Sequence, residues 1–221
     1  MKLKKLLMIA CGISIGISSC KKDESNVLKD ADGNVYTTVT IGTQTWMVEN
    51  LKTTKYNDGT PIPNVTDAYS WCLLSSGAQC DYDNNVSNTK TYGKLYNWYA
   101  VNTGKLAPKG WHIPTDAEWA TLTNYVGGES VAGGVLKTTG TTNWNSPNTA
   151  ATNSFGFSAL PGGFRDNNGD FTYMNVWGVY WTATETNSNY AWRRPISYTY
   201  SKIFIDESRK EIGYSVRCIK N

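Results

Sequence analysis

Gly110-Trp111-His112-Ile113-Pro114-Thr115-Asp116-Ala117-Glu118-Trp119 is the stretch that decides the fold class. Thr115 and Glu118 stand three residues apart at the head of an apolar run, the spacing of a capping box. The threonine hydroxyl accepts from the Glu118 amide, and the Glu118 carboxylate reaches back to the Thr115 amide. Trp119, Leu122 and either Tyr125 or Val126 follow on one face, and Gly127-Gly128 supplies the stop. A helix is therefore predicted from Thr115 to about Val126. Segments on both sides of it have the period of strands, so the chain mixes helix and sheet.

Upstream, Asp30-Ala31-Asp32-Gly33-Asn34 is a turn cluster. Val35 to Ile41 follows with β-branched residues in rough alternation, and Gly42-Thr43-Gln44 turns it into a second strand from Thr45 to Leu51. Lys52 to Asn88 is rich in Asn, Asp, Ser and Pro and is expected to be mostly loop. Leu95, Trp98 and Tyr99 have helical spacing, which predicts a second helix over Tyr92–Val101. Beyond Gly133 short strands are expected at Phe155–Leu160, Gly178–Ala183 and Ile203–Ile205, and a last one at Gly213–Ile219 alternates well. A final strand pairing with the opening hairpin would bring the termini together. The expected class is α+β, with two helices, small antiparallel sheets and many loops. No period of 20 to 50 residues repeats, so solenoids and propellers are excluded.

The N-terminus carries a different signal. Lys2, Lys4 and Lys5 precede an apolar run from Leu6 to Ile17, too short for a membrane span and of the length of a signal-peptide core. It ends in Ile17-Ser18-Ser19-Cys20, which resembles the lipobox of bacterial lipoproteins. The resemblance implies cleavage after Ser19 and acylation of Cys20, with each buried methylene worth about 0.8 kcal/mol of anchoring. Lys21-Lys22-Asp23-Glu24-Ser25 is similar to the export signal of Bacteroidetes lipoproteins, which implies an outer-membrane, cell-surface address. The expected organisation is a signal peptide over 1–19, a lipidated tether over 20–29 and one domain over 30–221.

Charge and composition narrow the function. The precursor has 21 Lys and Arg against 18 Asp and Glu; cleavage removes three lysines, and 21 − 3 = 18 leaves the mature chain neutral. A neutral chain lacks the basic footprint of nucleic-acid binding. Nine Trp and fourteen Tyr stand beside five Phe, the profile of a loop-rich extracellular domain. After processing, Cys72, Cys80 and Cys218 remain. Cys72 and Cys80 are expected to close a small disulfide loop in an oxidising compartment, the other two pairings remaining open. Cys218 then reads as a buried thiol in the last strand.

Ile41-Gly42-Thr43-Gln44-Thr45-Trp46-Met47-Val48-Glu49-Asn50-Leu51 also carries a family resemblance. So do Tyr92-Gly93-Lys94-Leu95-Tyr96-Asn97-Trp98, the stretch from Gly110 to Trp119, Phe155 to Arg165, and Ser215-Val216-Arg217-Cys218. In this order they resemble the Fibrobacter succinogenes major paralogous domain, over about Asp32 to Lys220. That family is similar to formylglycine-generating, sulfatase-modifying enzymes and more distantly to C-type lectin-like domains. The resemblance implies two helices flanking small antiparallel sheets with paired termini. Members often carry a further cysteine before the Gly-Trp-His-Ile-Pro segment; Lys105-Leu106-Ala107-Pro108 has none, which leaves Cys218 without that partner. The formylglycine-generating enzymes use a cysteine pair near the C-terminus, and Tyr190 to Glu211 contains no cysteine, so the resemblance does not carry that activity over.

The residues themselves favour binding over catalysis. His112 is the single histidine, expected to be structural, and one histidine without a cysteine cluster argues against zinc. Glu118, Asp166, Asp170 and Glu185 are the candidate carboxylates of a glycosidase, but no spacing selects a pair among them. No cofactor is expected. Calcium is a minor candidate at Asp166–Asp170 and Asp81–Asn85, although Asn168-Gly169 reads more simply as a hairpin turn. The aromatic and basic stretch from Trp177 to Tyr200 is the most suggestive feature, with Tyr190, Trp192 and Arg193 as the first candidates for ligand contact, expected in a loop. The expected function is a surface lipoprotein whose non-catalytic domain recognises extracellular polysaccharide or protein. A structural role in an outer-membrane assembly is the alternative, and an uncharacterised enzyme the third.

Overall fold

The computed structural model describes residues 27–221. The expected signal peptide, Cys20 and most of the tether lie outside the described residues. In chain order the elements are β1 (Leu28–Lys29), β2 (Val35–Tyr36), β3 (Thr38–Ile41), β4 (Gln44–Met47), α1 (Ala68–Cys72), β5 (Gln79–Cys80), α2 (Val86–Tyr92), β6 (Leu95–Tyr96) and α3 (Trp98–Val101). They continue with β7 (Trp111–His112), α4 (Asp116–Tyr125), α5 (Glu129–Leu136), β8 (Gly162–Arg165), β9 (Phe171–Met174), β10 (Trp177–Glu185), β11 (Tyr190–Ser197), β12 (Asp206–Arg209) and β13 (Ile219–Lys220). The class is α+β. Leu28 and Lys29 already pair with Tyr36 and Val35, so the domain begins inside the segment assigned to the tether.

Two sheets organise the chain. A four-stranded sheet runs β3-β4-β13-β7, and a five-stranded sheet runs β12-β11-β10-β8-β9. Ile219 pairs with Trp46 on one side and His112 on the other, so the last strand lies between the opening hairpin and β7. The predicted helix is α4. Thr115 caps it with both halves of the capping box formed, and Trp119, Leu122 and Val126 face the core while Tyr125 is exposed. Trp119 lies 5.0 Å from Trp46 and 5.6 Å from Tyr180, locking the helix between the sheets. The β8–β9 hairpin turns at Asn168-Gly169, with Gly169 at φ +85° as the sequence suggested.

Several elements differ from expectation. Tyr92–Val101 is not one helix: α2 ends at Tyr92, Gly93 takes φ +74°, and Leu95–Tyr96 forms a strand. The reason is tertiary. Tyr96 exchanges backbone hydrogen bonds with Tyr214, and Lys94 pairs with Asp81 at 2.6 Å. Helix α5 was not foreseen: the sequence places a helix stop at Gly127-Gly128 and short strands beyond Gly133, and a glycine pair such as Gly133-Gly134 disfavours a helix interior. Both glycines instead permit close backbone approach: a Cβ at Gly133 would lie 2.2 Å from the Lys202 carbonyl, and one at Gly134 would lie 2.7 Å from that of Ala150. Phe155–Leu160 forms no strand and contributes the isolated bridge of Ala159 to Lys137. Ile203–Ile205 precedes β12, with Ile203 making an isolated bridge to Ile196. Residues 213–215 make single bridges, and 216–218 run without any before β13.

With so much loop, the carbonyls need donors, and buried cations supply them. Arg217 is fully buried and without a carboxylate partner. Its Nε donates to Asn50 Oδ1 at 2.8 Å, and its terminal nitrogens donate to the carbonyls of Met47, Phe157 and Ser158. The guanidinium also lies 4.6 Å from the Phe157 ring centroid. Arg165, equally buried, donates to the carbonyls of Gly169, Val65 and Thr66 and lies between Trp71 and Phe171. Each buried acceptor left without a donor costs about 1–3 kcal/mol.

The expected Cys72–Cys80 bridge is absent: both are free thiols, as is Cys218. Cys72 closes α1 with its thiol on the Ala68 carbonyl at 3.1 Å, whereas Cys80 is buried in β5 among Trp71, Tyr82 and Leu95. Burial pushes the Cys80 thiol up to about 12 and raises that of Cys218.

Two predictions follow from this packing. Replacing Arg217 by Met strips donors from three carbonyls and the Asn50 amide oxygen. Urea unfolding should register a loss on the order of 3–5 kcal/mol, against about 1 kcal/mol for Thr115→Ala at the helix cap; near-equal losses would contradict the role given to Arg217. In a thiol titration of the native protein Cys72 should react promptly, with Cys80 and Cys218 reacting only on unfolding. A Cys72 that stays unreactive until a reductant is added would restore the disulfide.

Candidate functional site

Strand β11 is where the sequence placed its ligand contacts, and alternation along it decides their directions. Tyr190 and Trp192 fall on one face of the strand and Arg193 on the other, so the three are not brought together. They also lie in a paired strand rather than a loop: Tyr190 opposes Arg209, Trp192 opposes Glu207 and Arg193 opposes Asp206. Trp192 shares its face with the buried Arg194, which pairs with Asp116 at the start of α4.

Arg193 faces a cleft that crosses the five-stranded sheet. Phe164 of β8, Tyr173 of β9, Trp177 and Val179 of β10, Arg193 and Pro195 of β11, Asp206 of β12 and Phe204 just before it line the cleft. Arg193 donates to Asp206 Oδ2 at 2.6 Å and to the Tyr214 hydroxyl at 2.6 Å, while its Nε has no partner. Tyr214 is buried behind the lining, with its ring 5.4 Å from Phe164 and 4.7 Å from Trp181. Burial raises the Tyr214 phenol pKa, while the adjacent Arg193 opposes that shift. The hydroxyl therefore serves as a neutral acceptor for the guanidinium.

The walls are aromatic and partly open to solvent. Tyr173 stacks on Phe164 at 5.4 Å with an interplanar angle of 29°, yet half of its surface is exposed. Its backbone sits at φ +63°, a conformation uncommon for an aromatic residue, so the turn holds the ring outward at some cost in strain. Trp177 meets Phe204 edge-on at 5.4 Å, and Phe204 meets the exposed Tyr200 at 5.6 Å. The Lys202 ammonium lies 4.2 Å from the Phe204 ring centroid. Phe204 also lines a second groove with Glu129, Ser130, Lys202, Ile203 and Ile205. The two hollows, about 240 and 390 Å³, thus adjoin across one ring. The first is smaller than the roughly 300–1,000 Å³ of enclosed small-molecule pockets. Its shape suits a ring laid against an aromatic wall rather than an engulfed substrate.

The turn that carries Tyr200 and Lys202 is itself held by a buried cation. Lys137 donates to the carbonyls of Thr149, Ser197 and Tyr200 at 2.9, 2.8 and 3.1 Å. Burial pulls its pKa down to about 8. Gly134 adds a backbone bond to the Ser201 carbonyl at 2.7 Å.

The remaining candidates have structural partners. His112 bridges Asn221 Oδ1 at 2.7 Å and Glu118 Oε1 at 2.8 Å, so Glu118 serves both the cap and the histidine. Burial raises the Glu118 pKa, but the amide and hydroxyl of Thr115 together with His112 hold it below its ordinary value. Asp166 Oδ1 accepts the amides of Asn168 and Asp170 within the hairpin turn. Asp81 pairs with Lys94, and Glu185 with Lys210 at 3.1 Å. Among the described residues no three His, Cys, Asp or Glu side chains are grouped to hold a metal ion, and no helix is long and apolar enough to cross a membrane.

Sequence reading flagged Trp177, Tyr200 and Arg193 but missed Phe164, Tyr173, Phe204 and Asp206. Recognising Tyr190–Ser197 as a strand was the available signal, because its alternation separates Trp192 from Arg193. No curated protein and no solved structure matches the chain. Residues 39–220, from strand β3 to the last strand, match the Fibrobacter succinogenes major domain, and the chain belongs to that family.

Proposed function

We propose that this domain is a non-catalytic binding module that takes an extracellular polysaccharide on its aromatic cleft and is displayed at the outer-membrane surface by acylated Cys20. The observation that carries the reading is the aromatic wall of exposed Tyr173 and half-buried Trp177 and Phe204 beside the Arg193–Asp206 pair. Aromatic faces stack on the apolar faces of sugar rings, while a fixed guanidinium and carboxylate offer a donor and an acceptor to ring hydroxyls. Asp206 is the single carboxylate lining the cleft among the described residues, which does not match the paired carboxylates of glycoside hydrolysis. The second groove across Phe204 suits a ligand longer than one ring. We further infer kinship with the C-type lectin-like and formylglycine-generating folds. The flanking helices, small sheets and paired end strands are consistent with it. The anchoring rests on the Cys20 motif and its flanking residues.

The test is a glycan and polysaccharide binding screen on the purified full chain. Saturable binding is expected, weakened about tenfold or more by Tyr173→Ala or Phe204→Ala, a loss equivalent to about 1.4 kcal/mol per anchor ring. Trp192→Ala, on the opposite face, should leave it unchanged. Binding indifferent to Tyr173 and Phe204, or no glycan bound at all, would contradict the reading and turn attention to a protein partner in the envelope.

A further inference from the structure

We propose that the outer face of the four-stranded sheet is a docking surface for the anionic phosphate headgroups of the membrane that holds the anchor. This inference rests on acylation at Cys20.

Three lysines from separate parts of the chain converge there: Lys29 of β1, Lys109 before β7 and Lys220 of β13. Between them runs a shallow groove of about 550 Å³ floored by Thr38, Thr40 and Thr45, and no acidic side chain is among the described residues lining it. Lys55, Lys94, Lys105 and Lys210 each have a carboxylate within reach; among the described residues none of these three does. The mature chain is neutral, so a face of unpaired lysines is a local separation of charge rather than a general basicity. Trp111, half-buried and paired in register with Lys220, lines the same groove. An indole with its lysine neighbours suits the headgroup layer, which takes an apolar body and a polar rim.

The path of the chain points the same way. Val27 also lines the groove, so the tether leaves from this face. Six residues lie between Cys20 and Val27, a span of at most about 25 Å when extended. The anchor therefore keeps this face close to the lipid. Each lysine near an anionic surface contributes roughly a fivefold gain, so three together give on the order of a hundredfold at low salt, fading as the screening length falls.

The experiment is acetylation footprinting of the full acylated chain on vesicles of phosphatidylcholine, with and without phosphatidylglycerol. On anionic vesicles at low salt, Lys29, Lys109 and Lys220 should label several-fold more slowly, while Lys90 and Lys202 stay unchanged. High salt should remove the lipid dependence, and glutamine at any two of the three positions should weaken it at the lysine that remains. Equal labelling of the three lysines on both vesicle types, or equal protection of Lys90 and Lys202, would overturn the proposal. An intact mass without acyl groups would sink the anchor alone. The face then stands or falls on the same lysine pattern when the unacylated chain is bound to anionic vesicles at low salt.

Discussion

Buried guanidinium groups without carboxylate partners are what the rest of this structure depends on. A domain in which most strands are two to four residues long leaves many carbonyls outside any ladder, and each needs a donor when buried. Arg217 and Arg165 meet that need from single side chains, each joining carbonyls far apart in sequence. Arg217 ties Met47 and Asn50 to Phe157 and Ser158, so the opening hairpin and the Phe155–Leu160 loop are fixed to the last strand. Arg165 ties the 65–66 loop to the β8–β9 turn. Lysine in place of either offers three donors from one point, which cannot reproduce a planar fork spread over several carbonyls. The surrounding rings, Phe157 and Tyr180 for Arg217, Trp71 and Phe171 for Arg165, supply the quadrupole that makes a buried cation tolerable.

The same logic explains how the cleft is held. Lys137 fixes the turn bearing Tyr200, the Gly133-Gly134 pair lets α5 approach that turn, and Arg165 starts the hairpin that presents Tyr173. The rings of the cleft are thus mounted on backbone held by buried donors, so the proposed ligand would meet a surface already ordered. Six of the nine tryptophans are buried and belong to the core, whereas Trp177 lines the cleft and Trp111 the basic face. The cleft lies on the five-stranded sheet and the basic face on the four-stranded one, with no lining residue in common.

Features set by local chemistry were legible in the sequence. The capping box at Thr115 and Glu118, the Gly127-Gly128 stop and the Asn168-Gly169 turn each involve residues within a few positions of one another. What depended on distant partners was not. Leu95, Trp98 and Tyr99 have helical spacing, yet the pairing of Tyr96 with Tyr214 draws that segment into a strand. Helix α5 has two glycines in its interior, whose reason is visible only with the backbone of Ser201 and Lys202 beside Gly133 and that of Ala150 beside Gly134. The cleft was half visible for the same reason. Arg193 and Trp177 lay within a conspicuous aromatic stretch, but Phe164, Tyr173 and Asp206 reach it from strands whose order no single sequence reveals. Cys72 and Cys80 sit close enough in sequence to suggest a bridge, but a helix end and a buried strand hold their thiols apart.

Hydrogen exchange tests the central claim most directly, because loops held by buried arginines should behave like core. The amides of Val65, Ser158 and Ala159 lie outside every regular strand but are bonded within segments that Arg165 and Arg217 fix. The account predicts that they exchange as slowly as Val179 and Trp181 in the central strand β10, through global opening alone. Rapid exchange at these three amides while β10 stays protected would show that the loops open independently, and would contradict the organising role given to the buried guanidinium groups.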